Sequence, residues 1–141
     1  MKKLMGRVAL PLLGLSILAG CAPTGGTAAI VNDVTIPDSR VTQFAKGCAV
    51  ALQNVGQPAT ANQLRTQMVG LAVLDEMSRQ YVADAGVGPT DDQLRSEIRR
   101  LDRDFLLSDP RCEQATLGLM RYNVIAISLG QDWADTFGKY Q

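Results

Sequence analysis

Residues 60–74 read Thr60-Ala61-Asn62-Gln63-Leu64-Arg65-Thr66-Gln67-Met68-Val69-Gly70-Leu71-Ala72-Val73-Leu74. Thr60 with Gln63 three residues later is a capping box. The threonine oxygen accepts from the third helical amide, and the glutamine reaches back to the cap amide. Met68 to Leu74 carries no charge, so a helix that starts at Thr60 is apolar on most faces there and belongs inside a bundle. The pattern runs to Ala85, where Gly86 supplies a stop. A long central helix that needs other helices around it makes the chain mainly α.

Downstream, Thr90-Asp91-Asp92-Gln93 repeats the capping box. Leu94, Ile98, Leu101 and Phe105 follow at steps of four, three and four, which predicts one helix with a single apolar stripe reaching Phe105. Its other face carries Arg95, Glu97, Arg99, Arg100, Asp102, Arg103 and Asp104, charges of mixed sign that suit a solvated surface. Ser108-Asp109-Pro110 ends that helix and starts another, with Asp109 as N-cap and Pro110 in the first turn. Beyond Cys112, Leu119, Tyr122, Ile125 or Ala126, Leu129, Trp133 and Phe137 keep the helical period, with weak points at Gly118 and Gly130. One bent helix and two shorter ones both fit.

Upstream, Pro37-Asp38 opens a helix with Asp38 as the expected N-cap, and Val41, Phe44 or Ala45, Cys48 and Leu52 form its stripe until about Asn54. Before it, Ala28 to Val31 and Val34 to Ile36 flank Asn32-Asp33, a turn pair that tolerates left-handed backbone. Such a hairpin is marginal alone and must rest on helices. The expected fold is a small helical bundle with a short N-terminal β-hairpin, over residues 28–141.

The composition narrows the function. The 141 residues contain no histidine, which removes the commonest general base and the commonest metal ligand. Fourteen cations balance 14 acids, and the body of the chain has no basic run long enough to track a phosphate backbone. Glycine-rich phosphate loops and internal repeats are absent from the sequence. The carboxylate pairs Asp75/Glu76, Asp91/Asp92 and Asp102/Asp104 sit at neighbouring or i,i+2 positions, which diverge on a helix and cannot share a proton. No catalytic residue, metal site, cofactor, small-molecule substrate or nucleic-acid partner is therefore expected, and a binding protein is the better reading.

The first twenty residues look like an address. Lys2, Lys3 and Arg7 precede the uncharged stretch Val8 to Leu18, a span suited to a signal peptide and too short to cross a bilayer comfortably. Leu18-Ala19-Gly20-Cys21 resembles a bacterial lipobox. The resemblance implies removal of residues 1–20 and lipidation of Cys21 by diacylglycerol and a further acyl chain such as palmitate. Residues 21–27 would then form a short flexible tether. A lipoprotein of this kind faces the extracytoplasmic side of the envelope, on the periplasmic face of an outer membrane or the outer face of a cytoplasmic membrane. Losing the leader takes away three cations and no acid, which leaves a net charge of about −3. Cys48 and Cys112 are then the only thiols. An exported location favours a disulfide between them, with two buried free thiols as the alternative, and the lack of a CxxC pair disfavours a redox role.

The hairpin Ala28-Ala29-Ile30-Val31-Asn32-Asp33-Val34-Thr35-Ile36 leads into a helix through Asp38. With Leu64-Arg65-Thr66-Gln67-Met68, Leu71, Leu74-Asp75-Glu76, the hinge Ala83-Asp84-Ala85-Gly86-Val87 and the cap Thr90-Asp91-Asp92-Gln93-Leu94, it resembles the N-terminal chaperone domain of SurA-type periplasmic foldases. The family commonly continues into histidine-containing parvulin domains, so isomerase activity does not carry over. The resemblance implies a membrane-tethered, holdase-like lipoprotein that binds unfolded exported polypeptides or an envelope protein through apolar grooves. Met68, Met77, Met120, Tyr122, Trp133 and Phe137 are the candidate client-binding residues. The alternative is a structural adaptor dedicated to one envelope partner.

Overall fold

The structure, a computed structural model, describes residues 26–140; the leader, Cys21 and most of the tether lie outside the described residues. It is mainly helical. Strands β1 (Thr27–Val31) and β2 (Val34–Pro37) form an antiparallel hairpin, followed by α1 (Asp38–Asn54), α2 (Ala61–Ala85), α3 (Asp91–Arg100), α4 (Pro110–Leu129) and a short α5 (Trp133–Phe137). Short 3-10 turns precede α4 and flank α5. No described helix is long and apolar enough to cross a membrane.

Helices α1, α2 and α4 pack against one another, and α2 also carries the hairpin, so the helix from Thr60 is central. Its core face presents Leu64, Met68, Ala72 and Met77 to Val41, Phe44, Ala45, Cys48 and Ala51 of α1 and to Cys112, Ala115 and Ile125 of α4. Val31 and Ile36 are buried against the helices. Asn32 takes the left-handed conformation the two-residue turn requires, at φ 51°. Gln80 of α2 ties the hairpin down, accepting from the Asn32 amide at 2.6 Å and donating to the Val31 carbonyl at 3.3 Å.

Both capping boxes form, Thr60 with Gln63 and Thr90 with Gln93. Asp109 caps α4 by accepting from the Arg111 amide at 2.9 Å. Asp38 departs from expectation. Pro37 occupies the cap position, and Asp38 is the first helical residue. Its amide donates to the Gly26 carbonyl at 2.6 Å, and its carboxylate pairs with the Arg65 guanidinium of α2.

The expected helix to Phe105 also stops short, at Arg100. Asp102 adopts φ 53°. Its amide donates to the Arg99 carbonyl at 3.0 Å and that of Arg103 to the Ile98 carbonyl at 3.1 Å. These are the two bonds of a Schellman stop, here made by aspartate where glycine is usual. Leu101 is left exposed, while Leu94 and Ile98 close a small second core with Leu117. After α4, Gly130 at φ 60° turns the chain so that α5 forms separately, which settles the Gly130 break in favour of two helices.

Candidate functional site

Helix α4 has two halves with opposite tasks, and the first is locked. Cys48 and Cys112 form a disulfide that ties α1 to α4, both cysteines buried. The helices meet closely because Gly47 has no side chain. A Cβ there would stand 2.8 Å from the Cys112 amide nitrogen and against Asp109 and Arg111. The Arg111 guanidinium holds the Asp109 carboxyl down at about 2, since the side-chain hydrogen bonds outweigh the cost of burial.

One turn further, α4 meets a buried charge. Asp75 of the central helix is 1% exposed and takes hydrogen bonds from three arginines on three helices: Arg40 of α1, Arg79 of α2 and Arg121 of α4. Arg121 reaches on to Asp91 at the start of α3 at 2.9 Å, and Arg40 stacks over the Phe44 ring at 5.5 Å. Gly118 lies directly over this carboxylate, where any Cβ would collide with the Asp75 side chain. The Gly118 position, weak by helix propensity, is therefore where α2 and α4 come closest. Asp75 borders none of the clefts described next. Its role is to join helices, with each carboxylate oxygen bound to a guanidinium.

The second half of α4 is open. Helix α3 ends at Arg100, and Val124 is the last residue of α4 packed against its small core. Three clefts follow one another along this uncovered side. The largest, about 510 Å³, lies between Tyr81 of α2, Val87 to Pro89, Leu94 and Glu97 of α3, and Val124, Ile125 and Ser128 of α4. A second of about 400 Å³ shares Glu97 and Val124 with it and extends over Leu101, Met120, Asn123 and Ile127. A third of about 340 Å³ continues from Ala126 and Ile127 to Tyr122, Gly130 and Trp133. Ile127 stands 80% exposed, Val87 67% and Trp133 45%. Large side chains this open, rimming joined clefts, mark a surface made to be covered.

The candidate residues divide accordingly. Met120, Tyr122 and Trp133 line the clefts. Met68 and Met77 are buried in the core. Phe137 is buried too, ringed by Tyr122 at 4.5 Å, Tyr81 at 5.8 Å and Tyr140 at 6.4 Å between centroids. These three have no surface to offer a partner; they hold the walls in place. Tyr140 closes the C-terminal turn by donating its hydroxyl to Asp84 at 2.9 Å, and burial, then Asp84, raises the phenol above its usual range. The cleft residues that sequence reading missed are Val87, Leu101, Val124 and Ile127. Leu101 was assigned to a buried stripe, and Ile127 falls one step off the stripe that was followed. No family profile, curated protein or solved structure matches the chain.

Proposed function

We propose that this chain is a membrane-anchored, extracytoplasmic lipoprotein with holdase-like activity. It binds exposed apolar segments of exported polypeptides along the second half of α4. The observation that carries this reading is the run of three joined clefts from Val87 to Trp133, bordered by exposed Ile127 and lined mainly by apolar groups. A groove of this kind recognises apolar side chains without reading a specific sequence, which is what a holdase needs. Lipidation at Cys21 would keep it at the envelope surface where such segments emerge. The likeness to SurA-type chaperone domains supports the same reading, without isomerase chemistry.

The test is aggregation suppression. The chain from Ala22 onward is added, without lipid, to two unrelated unfolding clients, and light scattering is followed. Suppression of both at near-stoichiometric ratios, lost in Ile127→Asp, is the expected result. A folded protein that suppresses neither overturns the general holdase and leaves an adaptor with one dedicated envelope partner, to be identified by crosslinking at the membrane.

A further inference from the structure

No lysine or arginine lines any of the three clefts, and the single formal charge among their lining residues, Glu97, is paired with Arg100. The other polar lining groups, Gln93, Asn123, Ser128, Tyr81 and Tyr122, are neutral. A negative bias appears at the Trp133 end. Helix α4 ends there, at Gly130, with no basic residue in its last turn, so the negative end of its dipole is not countered by a side chain of its own helix. Trp133 is the only tryptophan in the chain and is nearly half exposed beside that end. Asp132 and Asp135 flank it, both exposed and neither in an ion pair among the described residues. An indole face and a helix carbonyl end each attract a cation, and the two carboxylates, outside the cleft lining, add negative charge nearby.

We propose that the occupant of these clefts is an apolar polypeptide segment bearing lysine or arginine at one end. Its cation lodges at Trp133 against the carbonyl end of α4, and its apolar side chains run along Ala126, Ile127 and Val124. This deepens the holdase reading and rests on it. From Met120 to Gly130 α4 rises about 15 Å, room for an extended segment of about five residues. With residues 1–20 removed, 11 cations face 14 acids, and that net charge of about −3 steers such a segment in the same sense.

The test uses the full chain in nanodiscs of zwitterionic lipid, with empty nanodiscs as blank. Three fluorescent leucine–serine peptides, identical except for a terminal pair of lysines, glutamines or glutamates, are titrated by anisotropy at low and high salt. The lysine peptide is expected to bind about tenfold more tightly than the glutamine peptide at low salt, and the gap to narrow as salt rises. Trp133→Leu, which keeps apolar area and removes the indole face, should bring the affinity of the lysine peptide down to within about twofold of that of the glutamine peptide. Asp132→Asn should reduce it further, and Ile127→Asp should weaken all three peptides. Equal binding of the three overturns the cationic preference while leaving the holdase reading intact. Failure of all three from a folded protein overturns both. Binding that ignores Ile127→Asp, or a groove closed by concentration-dependent self-association, overturns the proposed occupant.

Discussion

The two halves of α4 make a controlled comparison within one helix. As far as Arg121 the helix carries a disulfide, a charged cap, a glycine over Asp75 and an arginine in the buried cluster, which tie it to α1, to α2 and, through Asp91, to the start of α3. Beyond Arg121, Ile125 still packs in the core, while Val124, Ile127 and the approach to Trp133 border the clefts. Covalent and ionic ties are concentrated where the helix is covered and are missing where it is open. None of the tied residues, Asp109, Cys112, Gly118 and Arg121, lines a cleft.

Four experiments would break or sharpen that contrast. Reduction of the Cys48–Cys112 bond, or Cys48→Ser with Cys112→Ser, should cost about 4 kcal/mol by the loop-entropy estimate for a sequence separation of 64, read from urea denaturation. A much smaller loss would mean that the clamp between α1 and α4 is supplied by packing alone. Asp75→Asn should cost about 3 kcal/mol, because it leaves Arg40, Arg79 and Arg121 crowded around a neutral group, and Tm should fall with it. Asp109→Ala should cost about 1 kcal/mol at neutral pH by removing the cap of α4. The Asp109 carboxyl titrates lower in the folded chain than in the unfolded one, so its ionic contribution is complete above about pH 4–5 and lost as pH falls towards 2. The stability gap between wild type and Asp109→Ala should therefore shrink over that window in acid denaturation. Ile127→Asp should change stability least, within about 0.5 kcal/mol by calorimetry, since the side chain is already in water. A large loss from that exposed site would erase the division between the halves.

Local signals in the sequence reached far into this fold. The capping boxes at Thr60 and Thr90, the Asp109-Pro110 start and the Asn32-Asp33 turn each depend on residues within four positions of one another, and each forms as read. The uncharged run in α2 correctly marked the central helix, and the mainly helical fold with its N-terminal hairpin follows from these elements. What escaped depends on distance. Asp75 meets Arg40 and Arg121 across 35 and 46 positions, so its burial cannot be seen in a stripe on α2. Gly118 reads as a flaw in α4 until the carboxylate beneath it is known. Asp102 ends α3 in a conformation that aspartate adopts only occasionally, and that single turn decides whether Leu101 and the second half of α4 are covered. Side-chain type identifies adaptable apolar residues but not their burial. It grouped core-bound Met68, Met77 and Phe137 with the cleft residues Met120, Tyr122 and Trp133, and passed over Ile127.

The disulfide has a consequence for how the chain responds to proteolytic cleavage. Cys48 and Cys112 enclose all three interhelical linkers, 55–60, 86–90 and 101–109, within one covalent ring. A single cut in any of them opens the ring but releases no fragment, because the new ends remain joined through the cystine. The nicked molecule still holds α1 against α4 and keeps Arg40, Arg79 and Arg121 around Asp75. It should run as one band on a non-reducing gel and as two after reduction.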